Sequence, residues 1–117
     1  MVLADTSVWI QHFRVGEPDL IERLSEGLVV IHPFVMGELA CGSLKNRSAI
    51  LSYLRGLPRA PLASNSEVFS MVESRRLWGR GLGWIDVHLL ASALLSGCRL
   101  WTLDKRLSTA ARELGSD

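Results

Sequence analysis

Four acidic side chains, far apart in the sequence, have the types and spacing that could do chemistry: Asp5, Glu38, Asp86 and Asp104. Two carboxylates about 5 Å apart repel each other by about 3 kcal/mol at an effective dielectric constant of about 20. If the four converge, the cluster must share protons, contain basic side chains or bind a hard divalent cation. An all-oxygen ligand set favours Mg²⁺ or Mn²⁺ over Zn²⁺. Such an ion activates water and stabilises charge on a phosphate, so a metal site here favours phosphodiester hydrolysis.

Each acid also has a purely structural interpretation. Asp5, Asp86 and Asp104 precede or begin predicted helices, where a capping carboxylate commonly contributes about 1 kcal/mol. Glu38 lies within a predicted helix among apolar residues, where burial without a positive partner is costly, and exposure to solvent is its alternative. The elements that position the four acids therefore decide between the two interpretations.

Hydrophobic periodicity and capping residues predict strands that alternate with helices along the whole chain. Strands are expected at residues 2–4, 28–31 and 98–103, with a weaker extended segment at 60–63. Helices are expected after Asp5, from Pro18, from Pro33 to Gly42, at 48–57, at 66–78 with Phe69 facing inward, at 85–95, and after Asp104. This order indicates one domain, residues 1–117, with a three-layer α/β/α sandwich around a central, mostly parallel sheet. Asp5 and Asp104 then follow the carboxyl ends of strands, where ligands of such sheets gather.

The composition limits the classes of partner. Thirteen Lys and Arg against twelve Asp and Glu give a net charge of +1, so attraction to nucleic acid must come from local clusters. Arg80, Lys105 and Arg106 are candidates for RNA phosphate contacts, with solvated helix faces as the alternative. Trp84, in a glycine-rich approach to Asp86, is a candidate for stacking on an unpaired base.

Cysteine usage and hydropathy indicate the compartment. Cys41 and Cys98 form no metal-ligand motif and are expected to be buried in a reducing environment. No apolar run reaches the roughly eighteen residues that span a bilayer, and no leader is recognisable. We therefore expect a soluble, cytoplasmic protein with no membrane contact.

Four short segments together resemble those of PIN-domain ribonucleases, and most closely the VapC toxins of bacterial toxin–antitoxin pairs. They are residues 3–9 (LADTSVW), Gly37-Glu38-Leu39 with Gly42, Asp86 at the start of an Ala-containing helix, and Thr102-Leu103-Asp104. The resemblance covers essentially the whole chain. It implies that Asp5, Glu38, Asp86 and Asp104 hold one or two metal ions, with Ser7 and Thr102 as supporting hydroxyls.

The resemblance also implies a substrate and a partner. The family cleaves single-stranded or looped RNA, often tRNA or ribosomal RNA, and is held inactive by a small antitoxin. We expect an antitoxin that covers an exposed apolar patch and places a basic side chain at the acids, and a homodimer. Some relatives carry a further acid soon after the last ligand, where this chain has Lys105, Arg106 and Leu107, which leaves the second metal open.

Three rival functions remain open at this point. A DNA nuclease would use the same metal and the same phosphate chemistry. A metal-binding phosphoacceptor or regulatory domain could occupy a similar sheet, although the paired early acids and the buried Lys expected there are missing. A catalytically silent interaction module would need none of the four acids for chemistry.

Overall fold

Three short parallel strands form the centre of the molecule. The computed structural model describes all residues, 1–117. The strands are β1 (Val2–Ala4), β2 (Val29–Val30) and β3 (Arg99–Trp101), in the order β2-β1-β3. Strand β1 is central and buried throughout, as expected for a parallel sheet covered on both faces. The predicted α/β class with a central parallel sheet is confirmed.

Seven helices surround the sheet and account for most of the chain. They are α1 (Thr6–Val15), α2 (Pro18–Ser25), α3 (Pro33–Cys41), α4 (Arg47–Arg55), α5 (Asn65–Ser74), α6 (Trp84–Ser96) and α7 (Lys105–Glu113). Their starts follow local sequence rules. Pro18 and Pro33 occupy first-turn positions, and Asp5 and Asp104 cap α1 and α7 with their carboxylates.

Helix α6 is the most deeply buried helix. Its residues 87–93 are all buried, and α6 packs against α5 and β3. Gly97 ends the helix with φ +66°, a left-handed conformation that glycine adopts without a Cβ clash. The buried apolar side chains of the molecule form one cluster that includes β1, β2, α6 and α7 residues. No helix combines the length and the apolar character required to cross a membrane.

Helix α5 ends four residues earlier than the sequence predicts. Arg76 adopts φ +53°, and the Leu77 N–H donates to the Val72 carbonyl at 3.0 Å, while the Arg76 N–H donates to Glu73 at 3.4 Å. These are the two hydrogen bonds of a Schellman motif, formed with Arg in the position where glycine is usual. The motif turns Leu77 back into the core, where it is 2% exposed.

Two further expectations, for Phe69 and Cys41, are wrong. Phe69, expected inward, is 60% exposed, because it lies on the face of α5 that turns away from the core. The extended segment expected at residues 60–63 adds no strand to the sheet, and beside it Arg59 pairs with Ile31 in an isolated parallel bridge. Cys98 is buried as expected, but Cys41 is exposed at the end of α3.

Candidate metal-binding site

Asp5 lies at the carboxyl end of the central strand, where the chain turns directly into α1. Its side chain is 7% exposed and caps the helix by accepting from the backbone N–H groups of Ser7 at 3.0 Å and Val8 at 3.4 Å. Strands β2 and β3 lie on opposite sides of β1, which makes the carboxyl end of β1 the switch point of the sheet. Asp5 therefore lies at the crevice where parallel sheets usually bind ligands. Asp5 therefore both caps α1 and lies at the edge of the sheet where ligands usually bind.

Two hydroxyl groups hold the Asp5 carboxylate. The Ser7 hydroxyl donates to Oδ1 and the Thr102 hydroxyl donates to Oδ2, both in short hydrogen bonds. The register of β1 and β3 explains the second contact, since Ala4 pairs with Trp101 and the Asp5 N–H donates to the Trp101 carbonyl at 2.9 Å. The residues that follow the paired positions, Asp5 and Thr102, therefore emerge side by side.

Asp104 is connected to Asp5 through the same hydroxyls. The Thr102 hydroxyl oxygen accepts from the Asp104 N–H at 3.0 Å, and the Ser7 hydroxyl oxygen accepts from the Leu103 N–H at 3.1 Å. These bonds fix the loop between β3 and α7 against the start of α1. Asp104 itself is exposed and uses Oδ1 to cap α7, accepting from Arg106 at 2.8 Å.

Glu38 is bonded from α3 to the first residue of α1. Its Oε1 accepts a 2.6 Å hydrogen bond from the hydroxyl of Thr6, the residue that follows Asp5. Glu38 is exposed, so the burial that would have been costly in mid-helix is avoided. The role of Thr6 was missed in the sequence, although a hydroxyl directly after Asp5 was an available signal.

Asp86 stands apart in its hydrogen bonding. It lies in the first turn of α6, and its Oδ2 accepts from the Gly83 N–H at 2.8 Å, as a third-position acid does in a capping box. No hydrogen bond joins Asp86 to the other three acids. The hydroxyl-mediated network thus joins Asp5 to Asp104. Glu38 is bonded only to Thr6, the chain neighbour of Asp5, and Asp86 lies outside the network.

The donor set is suited to a hard cation, although the side chains do not stand in a coordination geometry. No three His, Cys, Asp or Glu side chains lie in an arrangement that could hold a metal ion. Glu38, Asp86 and Asp104 each present one carboxylate oxygen that accepts no hydrogen bond from the protein. Carboxylate and hydroxyl oxygens are the ligands that Mg²⁺ and Mn²⁺ prefer. Coordination by three or more of these acids would require movement of their side chains.

No basic side chain neutralises the acids. The two ion pairs of the molecule are Arg80–Glu113 at 2.7 Å and Arg112–Asp117 at 3.5 Å. Lys105 and Arg106 directly follow Asp104 in the sequence, but neither forms an ion pair with an acid. The buried Asp5 carboxylate therefore has hydroxyl and N–H donors but no cationic partner, which leaves room for a cation from solution.

A row of aromatic rings extends from the first turn of α6. The centroids of Trp84 and Phe69 are 4.8 Å apart, and Trp84 contacts His88, which in turn contacts Phe34. Trp84 and Phe69 are exposed, whereas His88 is 1% exposed and its two ring nitrogens have no hydrogen-bond partner. Burial lowers the pKa of His88 below its ordinary value. Trp84 is thus partly exposed to solvent two residues before Asp86.

His32 ends this row inside the protein. Its Nδ1 accepts from the Phe34 N–H at 3.0 Å and its Nε2 is 3.0 Å from the Ser92 hydroxyl. Burial, and secondarily the nearby His88, lowers the pKa of His32 to about 4. Both histidines are therefore neutral near pH 7 and stabilise packing rather than bind a ligand.

The parallel sheet, the hydroxyl-held aspartate at its switch point and the acids around it define a PIN domain. The chain belongs to the PIN-domain family, since the sequence profile of that family matches residues 2–113. It is similar to ribonuclease VapC32 of Mycobacterium tuberculosis, in strain CDC 1551 / Oshkosh and in strain ATCC 25618 / H37Rv. Each is 49% identical over 116 residues, which cover 98% of this chain and 94% of the relative. The resemblance inferred from the four acidic segments is confirmed.

Proposed function

We propose that this protein is a Mg²⁺- or Mn²⁺-dependent endoribonuclease, the toxin of a toxin–antitoxin pair, that cleaves structured RNA such as tRNA or ribosomal RNA. The observation that carries the proposal is the buried carboxylate of Asp5, which sits at the switch point of the sheet without a cationic partner. The family and the two relatives named ribonucleases support RNA as the substrate.

Asp5, Glu38, Asp86 and Asp104 would hold the metal through their carboxylate oxygens. When bound, the ion supplies an activated water and stabilises the negative charge that develops on the scissile phosphate. Ser7 and Thr102 orient the Asp5 carboxylate, and Thr6 restrains Glu38. One of the carboxylates assists removal of the proton from the attacking water.

RNA would approach over the exposed side chains next to the acids. Lys105 and Arg106 are exposed, have no ionic partner and directly follow Asp104, so their charges are free to contact phosphates. Arg80 is bound to Glu113 by two hydrogen bonds and contributes through its remaining donors. Trp84 would stack on an unpaired base beside Asp86.

An apolar groove next to Glu38 would accept the antitoxin. The groove has a volume of about 750 Å³ and lies between α1 and the segment that joins α3 to α4. Its walls include Ile10, Phe13 and Val15, of which Val15 is 68% exposed, and Glu38 opens onto it. An antitoxin segment with apolar side chains in this groove could place a basic side chain on the neighbouring acids. We also propose a homodimer, which sedimentation of the pure protein would test.

The decisive experiment compares RNA cleavage by wild type and by Asp5→Asn. Total cellular RNA is mapped for new ends after brief expression of each protein, and purified protein is assayed on RNA and on DNA of the same sequence with Mg²⁺. We expect new ends and RNA cleavage with the wild type alone. Cleavage of DNA and RNA alike would favour a general nuclease. Full activity of Asp5→Asn would overturn the proposed site.

The groove has a separate test. Ile10→Asp adds a charge inside it and should weaken inhibition by the cognate antitoxin while the free enzyme still cleaves RNA. Ile21→Asp provides a matched control, because Ile21 is similarly exposed on α2 but does not line the groove. Equal inhibition of both variants would exclude the groove as the antitoxin site.

A further inference from the structure

The loop between α5 and α6 is fastened to α7 at two points. Arg80 forms a bidentate ion pair with Glu113 near the end of α7, with distances of 2.7 and 3.0 Å. One residue further on, the Arg106 side chain from the first turn of α7 lies across the backbone of Gly81. The two contacts hold a glycine-rich loop against the helix that Asp104 caps.

Gly81 is the residue that permits the second contact. A Cβ at position 81 would lie 2.7 Å from Nη1 and 2.9 Å from Cδ of Arg106, closer than real carbon atoms approach. Gly81 also has φ +79°, which L-residues rarely adopt. Nearby Gly79 has a similar φ of +71°, but a Cβ there would meet nothing within 4 Å. A side chain at position 81 would therefore displace the flexible side chain of Arg106, whereas one at position 79 would displace nothing.

The contact shapes a small basic cleft. Arg80, Lys105, Arg106 and Thr109 line a depression of about 260 Å³ that contains no apolar and no acidic side chain. Glu113 already engages Arg80, whereas Lys105 and Arg106 have no acidic partner. Guanidinium groups that are held in place bind phosphate oxygens through paired N–H donors. The cleft adjoins Asp104, so a chain that reaches the acids passes close to it.

We infer that this basic cleft binds a backbone phosphate of the RNA next to the scissile one, and that Gly81 is a positioning residue whose missing Cβ leaves the space that Arg106 occupies for this contact. The inference rests on the proposed ribonuclease function. It adds a phosphate-binding subsite to the acidic site, and it assigns the glycine of the loop a role in substrate binding rather than in loop flexibility alone. Because phosphate carries no base identity, the subsite should act equally on RNA of any sequence.

The test measures RNA binding in the Asp5→Asn background, where cleavage does not interfere. Fluorescently labelled oligo(U) and oligo(A) are titrated with Gly81→Ala, Arg106→Ala, the double variant and Gly79→Ala at several salt concentrations. We expect Gly81→Ala to raise Kd roughly tenfold for both oligomers, the size expected for loss of one charge-assisted hydrogen bond. The slope of log K against log salt should fall by about 0.7, one phosphate contact.

The double variant and the glycine control separate positioning from folding. If Gly81 acts through Arg106, the double variant binds no more weakly than Arg106→Ala alone. Gly79→Ala introduces a comparable positive-φ strain without the clash and should bind as the parent does. In the active protein, Gly81→Ala should raise KM and leave kcat nearly unchanged, since the acids are not touched.

Two outcomes would overturn the inference. One is equal binding by Gly81→Ala and Gly79→Ala, and the other is an unchanged salt slope in Arg106→Ala. Failure of the ribonuclease proposal is a different result, because it would show as absence of RNA cleavage by the wild type. An active wild type with unaffected Gly81→Ala binding would reject the subsite only.

Discussion

Thr102 donates its hydroxyl hydrogen bond to the carboxylate of Asp5, although 97 positions separate the two residues in the chain. The bond follows from the parallel register that pairs Ala4 with Trp101. The same hydroxyl oxygen accepts from the Asp104 N–H at 3.0 Å. One side chain therefore sets the distance and orientation between two of the acids proposed to bind metal.

Thr102→Val should test this relationship. Valine has nearly the same shape but cannot donate to Asp5, and loss of an outer hydrogen bond to a ligand typically lowers metal affinity or activity 10- to 100-fold. We expect RNA cleavage to fall by about that factor and its Mg²⁺ midpoint to rise. Thr102→Ser should restore most of the activity. Ser25→Ala is the control, since the exposed Ser25 hydroxyl donates only to the Glu22 carbonyl on α2. Wild-type kinetics in Thr102→Val would contradict the assigned role.

Mg²⁺ should stabilise the folded protein through the acids. Binding only to the native state adds about 2.7 kcal/mol at 100 times Kd, which corresponds to a rise in Tm on the order of 10 °C for a domain of this size. Asp5→Asn should fold but show little or no rise. Glu26→Gln, which removes an exposed charge from the end of α2, should respond as the wild type does. Chelation with EDTA should abolish cleavage, and activity that persists in EDTA would exclude the metal mechanism.

Mild acid should destabilise the fold through His32. Its pKa is about 4 in the folded protein, below the ordinary value of 6.5, so the unfolded chain binds more protons between these limits. The contribution of neutral His32 to the free energy of unfolding is complete above pH 6.5. It is lost as the pH falls toward 4, and the total loss is about 3 kcal/mol. Urea unfolding at pH 7.5 and 5 would measure the loss. His32→Asn keeps a side chain able to cap α3 and should show a flatter pH dependence. An equal slope in both proteins would assign the effect to other groups.

Trp84→Ala should weaken RNA binding while Trp84→Phe retains most of it. Stacking on a base contributes about 1–3 kcal/mol, so Kd should rise roughly 5- to 150-fold on removal of the ring. The titration uses the Asp5→Asn background and single-stranded RNA. Trp78→Ala is the matched control, since Trp78 is 59% exposed but takes no part in the aromatic row. If the two alanine variants bind equally, Trp84 does not stack on the substrate.

Much of the secondary structure followed from local rules. Asp5 and Asp104 predicted the starts of α1 and α7, Pro33 that of α3, and Gly97 the end of α6, because caps, proline and glycine act on backbone groups a few residues away. The end of α5 did not follow, since Arg76 adopts a left-handed conformation that its residue type does not suggest. Burial of Leu77 in the core compensates for that conformation, and the core is not a local property.

The candidate site likewise has features that the sequence determined and features that only the tertiary structure decided. The sequence by itself determined the four acids, their order and the oxygen chemistry that suits a hard cation, because these depend on residue type. Only the tertiary structure decided that Thr102 bonds to Asp5, that Thr6 bonds to Glu38 and that Arg106 lies on Gly81. These contacts join residues 25 or more positions apart. Strand register and helix packing bring them together, and both result from the burial of the whole core rather than from any short segment.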